Sequence, residues 1–303
     1  MKHTVTLRNG VQVPALGLGT WFLGENKSAR EREQESLRAG VAAGMTLIDT
    51  AEMYGNGKAE SLIKEVISDK KRDDLFLVSK VLPNNAGKHR LERALDDSMK
   101  RMGVEYLDLY LYHWRGSYPL EETVAELERV KKAGKIKDWG VSNFDIDDME
   151  ELWMISEGRN CLVNQVLYHT GSRGIEYSLL PWMRKHDVAL MSYCPLAQAG
   201  TLRRGILNNP VLKEIAQKHN ATVEQIMLAW NIRDGHTIAI PRSGKAEHTL
   251  LNAGADEIQL TEQDYKAIDQ AYPPPTKKEY LDIQLKIPPD SDDRNITWSG
   301  GIL

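Results

Sequence analysis

The sequence predicts an α/β chain folded as a (β/α)8 TIM barrel with an N-terminal β-hairpin, and three observations point there. Eight short apolar or alternating runs start about 24 to 32 residues apart, with one interval of about 48. That spacing suits a strand followed by a crossover helix. Helical patterns with clear start and stop residues fill the intervals. The rival architecture, an open doubly wound sheet, would carry G-x-G-x-x-G after its first strand. Here "GLGTWFLG" supplies Gly17 and Gly19 but puts Phe22 where the third glycine belongs.

The elements follow in order. "VTLRNGVQVP" holds two short β-prone stretches around Asn9-Gly10, a hairpin turn pair. The eight runs are "ALGLGT" near 15, "TLIDTA" near 46, "LFLVSKV" near 75, "YLDLYLYH" near 106, "DWGVSN" near 138, "LVNQVLYH" near 162, "ALMSYCPL" near 189 and "TIAIPR" near 237. Ser28-x-x-Glu31 and Thr222-x-x-Gln225 read as capping boxes at helix starts. Gly44, Gly103 and Gly134 stand where helices should stop. Leu91, Leu95, Met99 and Met102 share one helical face, as packing on a sheet requires. The long seventh interval, "CPLAQAGTLRRGILNN", is expected to be an enlarged loop. Residues 1–303 read as a single domain, with a proline-rich, partly acidic tail over 273–303 that either straps the mouth or stays disordered.

Bulk properties narrow the function. The chain has 39 basic and 43 acidic residues, a net charge of -4, and no block of like charge. Neither a nucleic-acid partner nor a membrane surface is therefore expected. The N-terminus "MKHTVTLRNG" lacks the apolar core of a signal peptide, and no apolar run approaches the roughly 20 residues that cross a bilayer. Cys161 and Cys194 match no metal or C-x-x-C spacing and read as buried thiols in a reducing compartment. The expectation is a soluble, cytoplasmic monomer without metal. Asn295-Ile-Thr297 fits a glycosylation pattern only by chance in such a setting.

In a barrel the active site lies at the carboxyl ends of the strands. Those ends present Asp49 with Tyr54 on the loop beyond it, then Lys80, His113 with Trp114, Ser142 with Asn143, Gln165, Tyr193, and Arg242 with Ser243. A single strand-end lysine or histidine is usually a rim residue. An acid, a phenol, an amine and an imidazole aimed at one mouth are not explained one by one. Their chemistry fits together. A tyrosine with an ordinary pKa of about 10 is a weak acid near pH 7, and a neighbouring ammonium is expected to lower that value. A buried lysine needs a carboxylate, which Asp49 supplies. His113 could then direct a carbonyl oxygen toward the phenol, as carbonyl reduction requires. The strand-eight end, with Arg242, Ser243 and a helix beginning near Lys245, suits a phosphate.

At this point the chain resembles the aldo-keto reductases. "GLGTW", "LIDTAEMYG", "VSK", "LYHW", "GVSNF", "NQVLYH" and "IPRS" occur in that family's order, and the resemblance spans about residues 5 to 272. It implies Tyr54 as general acid supported by Lys80 and Asp49, with His113 orienting the substrate. It implies NADP(H) extended across the mouth, Tyr193 stacking on the nicotinamide, and Ser142, Asn143 and Gln165 holding its carboxamide. Gly19, Thr20 and Asp49 would line the inner part, with Pro195, Leu196 and Ile240 also against the cofactor. Arg242, Ser243, His248 and Asn252 would serve the phosphate end, and Trp21 and Trp114 would wall a substrate pocket.

Five departures stand out. Arg242 replaces the family's usual lysine and keeps its charge. His248 stands where a second arginine is common, and Leu251 replaces a frequent acid. Cys194 takes the place of a serine, with Gln198 inserted after it. "GSRGIEYSLLPW" and "CPLAQAG" resemble a bacterial branch that reduces methylglyoxal and other small aldehydes. The implied function is NADPH-dependent reduction of aldehydes and reactive dicarbonyls, with a small carbonyl compound as the partner. The alternative is an NADP-binding, redox-sensing regulatory subunit on the same fold. A metal-dependent hydrolase fits poorly, because Lys80 lies among the would-be ligands.

Overall fold

The computed structural model describes residues 1–197 and 200–282. Two strands, β1 (Thr4–Thr6) and β2 (Gln12–Pro14), pair antiparallel through a turn in which Gly10 has φ +85°, a left-handed conformation open to glycine. The eight barrel strands are β3 (Leu18–Gly19), β4 (Leu47–Asp49), β5 (Phe76–Val81), β6 (Leu107–Tyr112), β7 (Ile136–Ser142), β8 (Val163–Leu167), β9 (Ala189–Tyr193) and β10 (Thr237–Ala239). All are parallel and pair in chain order. Bridges from Leu16 to Ala239 and from Gly19 to Arg242 join the first strand region to the last, so the sheet closes. Closure removes both sheet edges, which would otherwise expose unpaired backbone groups.

The helices are α1 (Arg30–Ala42), α2 (Lys58–Ile67), α3 (Leu91–Met102), α4 (Leu120–Lys132), α5 (Ile146–Met154), α6 (Leu179–Lys185), α7 (Gly200–Leu207), α8 (Pro210–Lys218), α9 (Val223–Asn231), α10 (Ala246–Gly254) and α11 (Glu262–Ala271). Leu91, Leu95, Met99 and Met102 of α3 are buried in the main core, as their spacing predicts. Thr222 and Gln225 form the expected capping box on α9. Gly44, Gly103 and Gly134 all have positive φ at helix ends.

Three local expectations are corrected. Ser28 and Glu31 form no capping box: Asn26 instead accepts from the Ser28 amide and starts a short 3-10 turn ahead of α1. The Ser28 hydroxyl itself donates to Asn26 Oδ1 (2.8 Å), so the chain starts as a 3-10 turn capped by Asn26 and α1 follows from Arg30. The stretch 194–209 is not only loop, since α7 lies within it. Cys161 is buried, but Cys194 is partly exposed, because the turn after β9 opens onto the cleft described below.

The chain beyond α11 returns to the carboxyl side of the barrel. Arg173 donates to the Tyr272 carbonyl (2.6 Å), Ser172 Oγ to Asp282 (2.6 Å) and Lys278 to Asp147 (3.2 Å). Residues 273–282 therefore lie beside the loops that follow β7 and β8. Gln198, the glycosylation pattern at Asn295 and the rest of the tail lie outside the described residues. Among the described residues, no helix is long and apolar enough to cross a membrane.

Candidate active site

Parallel strands deliver their polar ends to one mouth, and the mouth opens into a cleft of about 700 Å³. Asp49 ends β4 and Lys80 sits near the end of β5; both are almost wholly buried. Lys80 Nζ donates to Asp49 Oδ2 (2.8 Å), the Thr50 carbonyl (2.7 Å) and the Tyr54 hydroxyl oxygen (3.1 Å). Gln165 of β8 donates to the other carboxylate oxygen of Asp49 (2.7 Å). Every polar position of this pair is thus engaged, the condition under which a buried ion pair is retained. Lys80 does not line the cleft; it lies behind Tyr54.

Tyr54 packs in its own small apolar cluster with Ala51 and Ala59, against Trp21 and Met53, and its ring meets His113 edge-on at 6.1 Å. Trp114 lies 4.5 Å from the His113 ring. One end of the cleft is therefore a small aromatic chamber around a phenol and an imidazole. Burial holds His113 well below the ordinary histidine value, with the Lys80 charge adding to the effect, so the ring is neutral near pH 7. Its Nδ1 is buried without a hydrogen-bond partner among the described residues.

The expected lowering of the Tyr54 pKa does not occur in the chain by itself. Burial raises it well above the ordinary value, and the Asp49 carboxylate raises it further. Burial also raises Asp49 and lowers Lys80, and each is opposed by the other's charge. The negative partner spends much of the ammonium's field, so Tyr54 rests as a protonated phenol.

The middle of the cleft is built by backbone detail. Ser142 Oγ donates to the Gln165 carbonyl (2.8 Å), and the Tyr193 hydroxyl donates to Asn143 Oδ1 (2.9 Å). Asn143 (φ +57°), Cys194 (φ +51°) and Ala197 (φ +50°) are left-handed, and all three line the cleft. Such non-glycine conformations are sparsely populated and concentrate where a site fixes the chain. On the opposite wall a Cβ on Gly19 would lie 2.7 Å from the Ile240 carbonyl oxygen, so only glycine fits there.

The far end of the cleft is cationic. Arg242 and Lys245 line it without a carboxylate partner among the described residues, where α10 begins at Ala246. Gly19, Thr20, Trp21, Asp49, Tyr54, His113, Trp114, Ser142, Asn143, Gln165, Tyr193, Pro195, Leu196, Ile240, Arg242, Ser243, His248 and Asn252 all line this one cleft. Sequence reasoning missed Arg32, Arg203, Thr222, Glu224 and Lys245 as wall residues. Arg32, Thr222 and Glu224 come from helices or their caps, where a strand-end search does not look. Among the described residues, no group of three or more His, Cys, Asp or Glu is placed to hold a metal.

Residues 15–273 match the model of the Aldo/keto reductase family. The chain belongs to the aldo/keto reductase family. Its relatives include a protein named methylglyoxal reductase YeaE from Escherichia coli K12, 49% identical over 282 residues, which cover 93% of this chain and 99% of the relative. A glyoxal reductase of Bacillus subtilis is 36% identical over 270 residues, covering 89% and 92%. An aldo/keto reductase of Klebsiella pneumoniae, solved with NADP and acetate, superposes with a TM-score of 0.91 at 47% identity and covers 94% of this chain and 100% of its own. The matched span contains all eight barrel strands and every described residue that lines the cleft of this aldo/keto reductase.

Proposed function

We propose that this chain is an NADPH-dependent oxidoreductase that reduces aldehydes and reactive dicarbonyls of the methylglyoxal type to alcohols, with Tyr54 as the general acid. The observation that carries the reading is the buried line Asp49–Lys80–Tyr54, running beneath a small aromatic chamber that also holds His113.

The fit of the cofactor can be tested on the cleft. A volume of about 700 Å³ is that of a ligand site, one wall is pared to glycine at Gly19, and the far end carries Arg242 and Lys245, neither in an ion pair with a carboxylate among the described residues. A long ligand with anionic groups at one end suits it. Tyr193, Ser142, Asn143 and Gln165 would hold the nicotinamide end, with Gly19, Thr20, Pro195, Leu196 and Ile240 beside the cofactor. Arg242, Ser243, His248 and Asn252 would hold the phosphate end. When bound, the dinucleotide supplies a hydride.

The chain's own residues supply orientation and the proton. A neutral His113, whose Nδ1 has no partner among the described residues, can carry its proton on the other ring nitrogen and donate a hydrogen bond from it to a carbonyl oxygen. Tyr54 rests as a phenol, the form a general acid needs, and gives its proton to the same oxygen as negative charge develops there. Lys80, 3.1 Å from the Tyr54 oxygen, then stabilises the phenolate left behind. Asp49 keeps Lys80 in place and charged. Trp21 and Trp114 exclude water and favour a small, uncharged substrate.

The test is turnover of methylglyoxal, followed by loss of the reduced nicotinamide's near-ultraviolet absorbance, with NADPH beside NADH. Rapid oxidation of NADPH is expected. Tight NADPH binding with no turnover across an aldehyde panel would instead favour the redox-sensing alternative.

A further inference from the structure

We propose, resting on that dinucleotide reading, that Arg32 of α1 is a specificity-determining cation for the adenosine 2′-phosphate and sets the preference for the phosphorylated cofactor. Arg32 is remote in sequence from every barrel strand end, yet it lines the cleft. Its Nε donates to the Gly244 carbonyl at 3.0 Å, one residue before the Lys245 cap of α10. The same helix is tied to that loop a turn later: Ser36 Oγ donates to the Ser243 carbonyl (3.0 Å) and meets Thr249 Oγ1 at 2.7 Å. Helix α1 thus clasps the loop between Arg242 and α10 at two successive turns.

This attachment leaves the useful part of the arginine free. Nε is engaged, while no carboxylate pairs with the two terminal nitrogens among the described residues. Glu33, the adjacent acid on α1, accepts from the Gly24 amide through one carboxylate oxygen (2.8 Å) and is not paired with Arg32, although its charge also acts on Arg242. An exposed arginine ordinarily samples many rotamers; anchoring Nε to a backbone carbonyl pre-orients the remaining fork, which suits a phosphate. The fork stands beside Arg242 and Lys245 and the first turn of α10, whose amides have no side-chain cap. Leu251, on the same helix and also lining the cleft, offers an apolar surface to an aromatic base. A phosphate monoester carried on a base-bearing sugar matches both.

The test is calorimetric titration of the full chain with adenosine 2′,5′-bisphosphate and with adenosine 5′-monophosphate, which differ only in the 2′-phosphate. In Arg32→Ala, affinity for the bisphosphate should fall about tenfold, while affinity for the monophosphate stays unchanged. Arg32→Lys, which keeps the charge and loses the fork, should fall between. Equal losses for both compounds would assign Arg32 to loop placement or the 5′-phosphate and overturn the proposal. Unchanged bisphosphate affinity would overturn it as well. A wild-type chain that does not prefer the bisphosphate would count against the cofactor reading itself, and against this proposal with it.

Discussion

The ammonium nitrogen of Lys80 lies 3.1 Å from the hydroxyl oxygen of Tyr54, and both side chains are buried. At that distance the lysine would favour a phenolate, yet the Asp49 carboxylate on its other side and the burial of the ring favour the phenol. The balance leaves the proton on Tyr54 until the reaction needs it. Lys80 therefore acts on the tyrosine after the proton has left, more than before.

Tyr54→Phe tests this directly. The ring and its apolar cluster remain, so cofactor affinity should be unchanged, while turnover should fall by about 10² to 10⁴. Steady-state rates together with a cofactor binding titration check it. Near-normal turnover would remove the tyrosine from its assigned role.

Lys80→Met leaves Asp49 buried beside an apolar side chain. Breaking such a pair by removing one partner is expected to lower stability by about 3 to 5 kcal/mol. Adding Asp49→Asn to the same chain should return much of that loss, since no uncompensated charge then remains. Urea unfolding of wild type, single and double variants gives the comparison; a single variant as stable as wild type would show that the pair carries little strength.

Acid should weaken the fold through its buried histidines. His169 is held at about 4 by burial, against an ordinary value of 6.5, with only a partial opposing pull from Asp282. The unfolded chain takes up this proton below about pH 6.5 while the folded chain does not, so stability falls as pH drops toward 4. His169 alone accounts for about 2 kcal/mol of loss between pH 7 and pH 5. His113 titrates in the same direction. Unfolding midpoints at both pH values, in wild type and His169→Asn, read the effect. An equal fall in the two proteins would rule this histidine out as a contributor.

Gly19→Ala places a methyl 2.7 Å from the Ile240 carbonyl oxygen, and backbone must move to admit it. Overpacking of this kind costs about 1 to 3 kcal/mol. Because Gly19 lines the cleft, cofactor affinity should fall along with the melting temperature. A variant with unchanged binding and melting temperature would mean that the wall yields more easily than its contacts indicate.

Much of this was legible in the chain itself, because it is local. Each strand run, the Asn9-Gly10 turn, the Thr222–Gln225 cap and the glycine stops depend on residues within a few positions of one another. The strand-end rule carried Asp49, Lys80, His113 and Gln165 to one mouth without coordinates. The Ser28 box failed at the same local level, since Asn26 engages the Ser28 amide and hydroxyl and takes the cap position two residues earlier.

What the sequence by itself determined, then, is the order of strands and helices and the identity of the polar groups at the strand ends. These follow from periodicity, turn chemistry and the direction of a parallel strand. Only the tertiary structure decided that Gln165 reaches Asp49 and that Arg32 reaches the Gly244 carbonyl, contacts spanning 116 and 212 positions of chain. It also decided which way the Tyr54 proton is biased. That outcome is a sum over burial and opposed charges, each falling off with distance in space, and distance in space is set by closure of the barrel rather than by spacing along the chain.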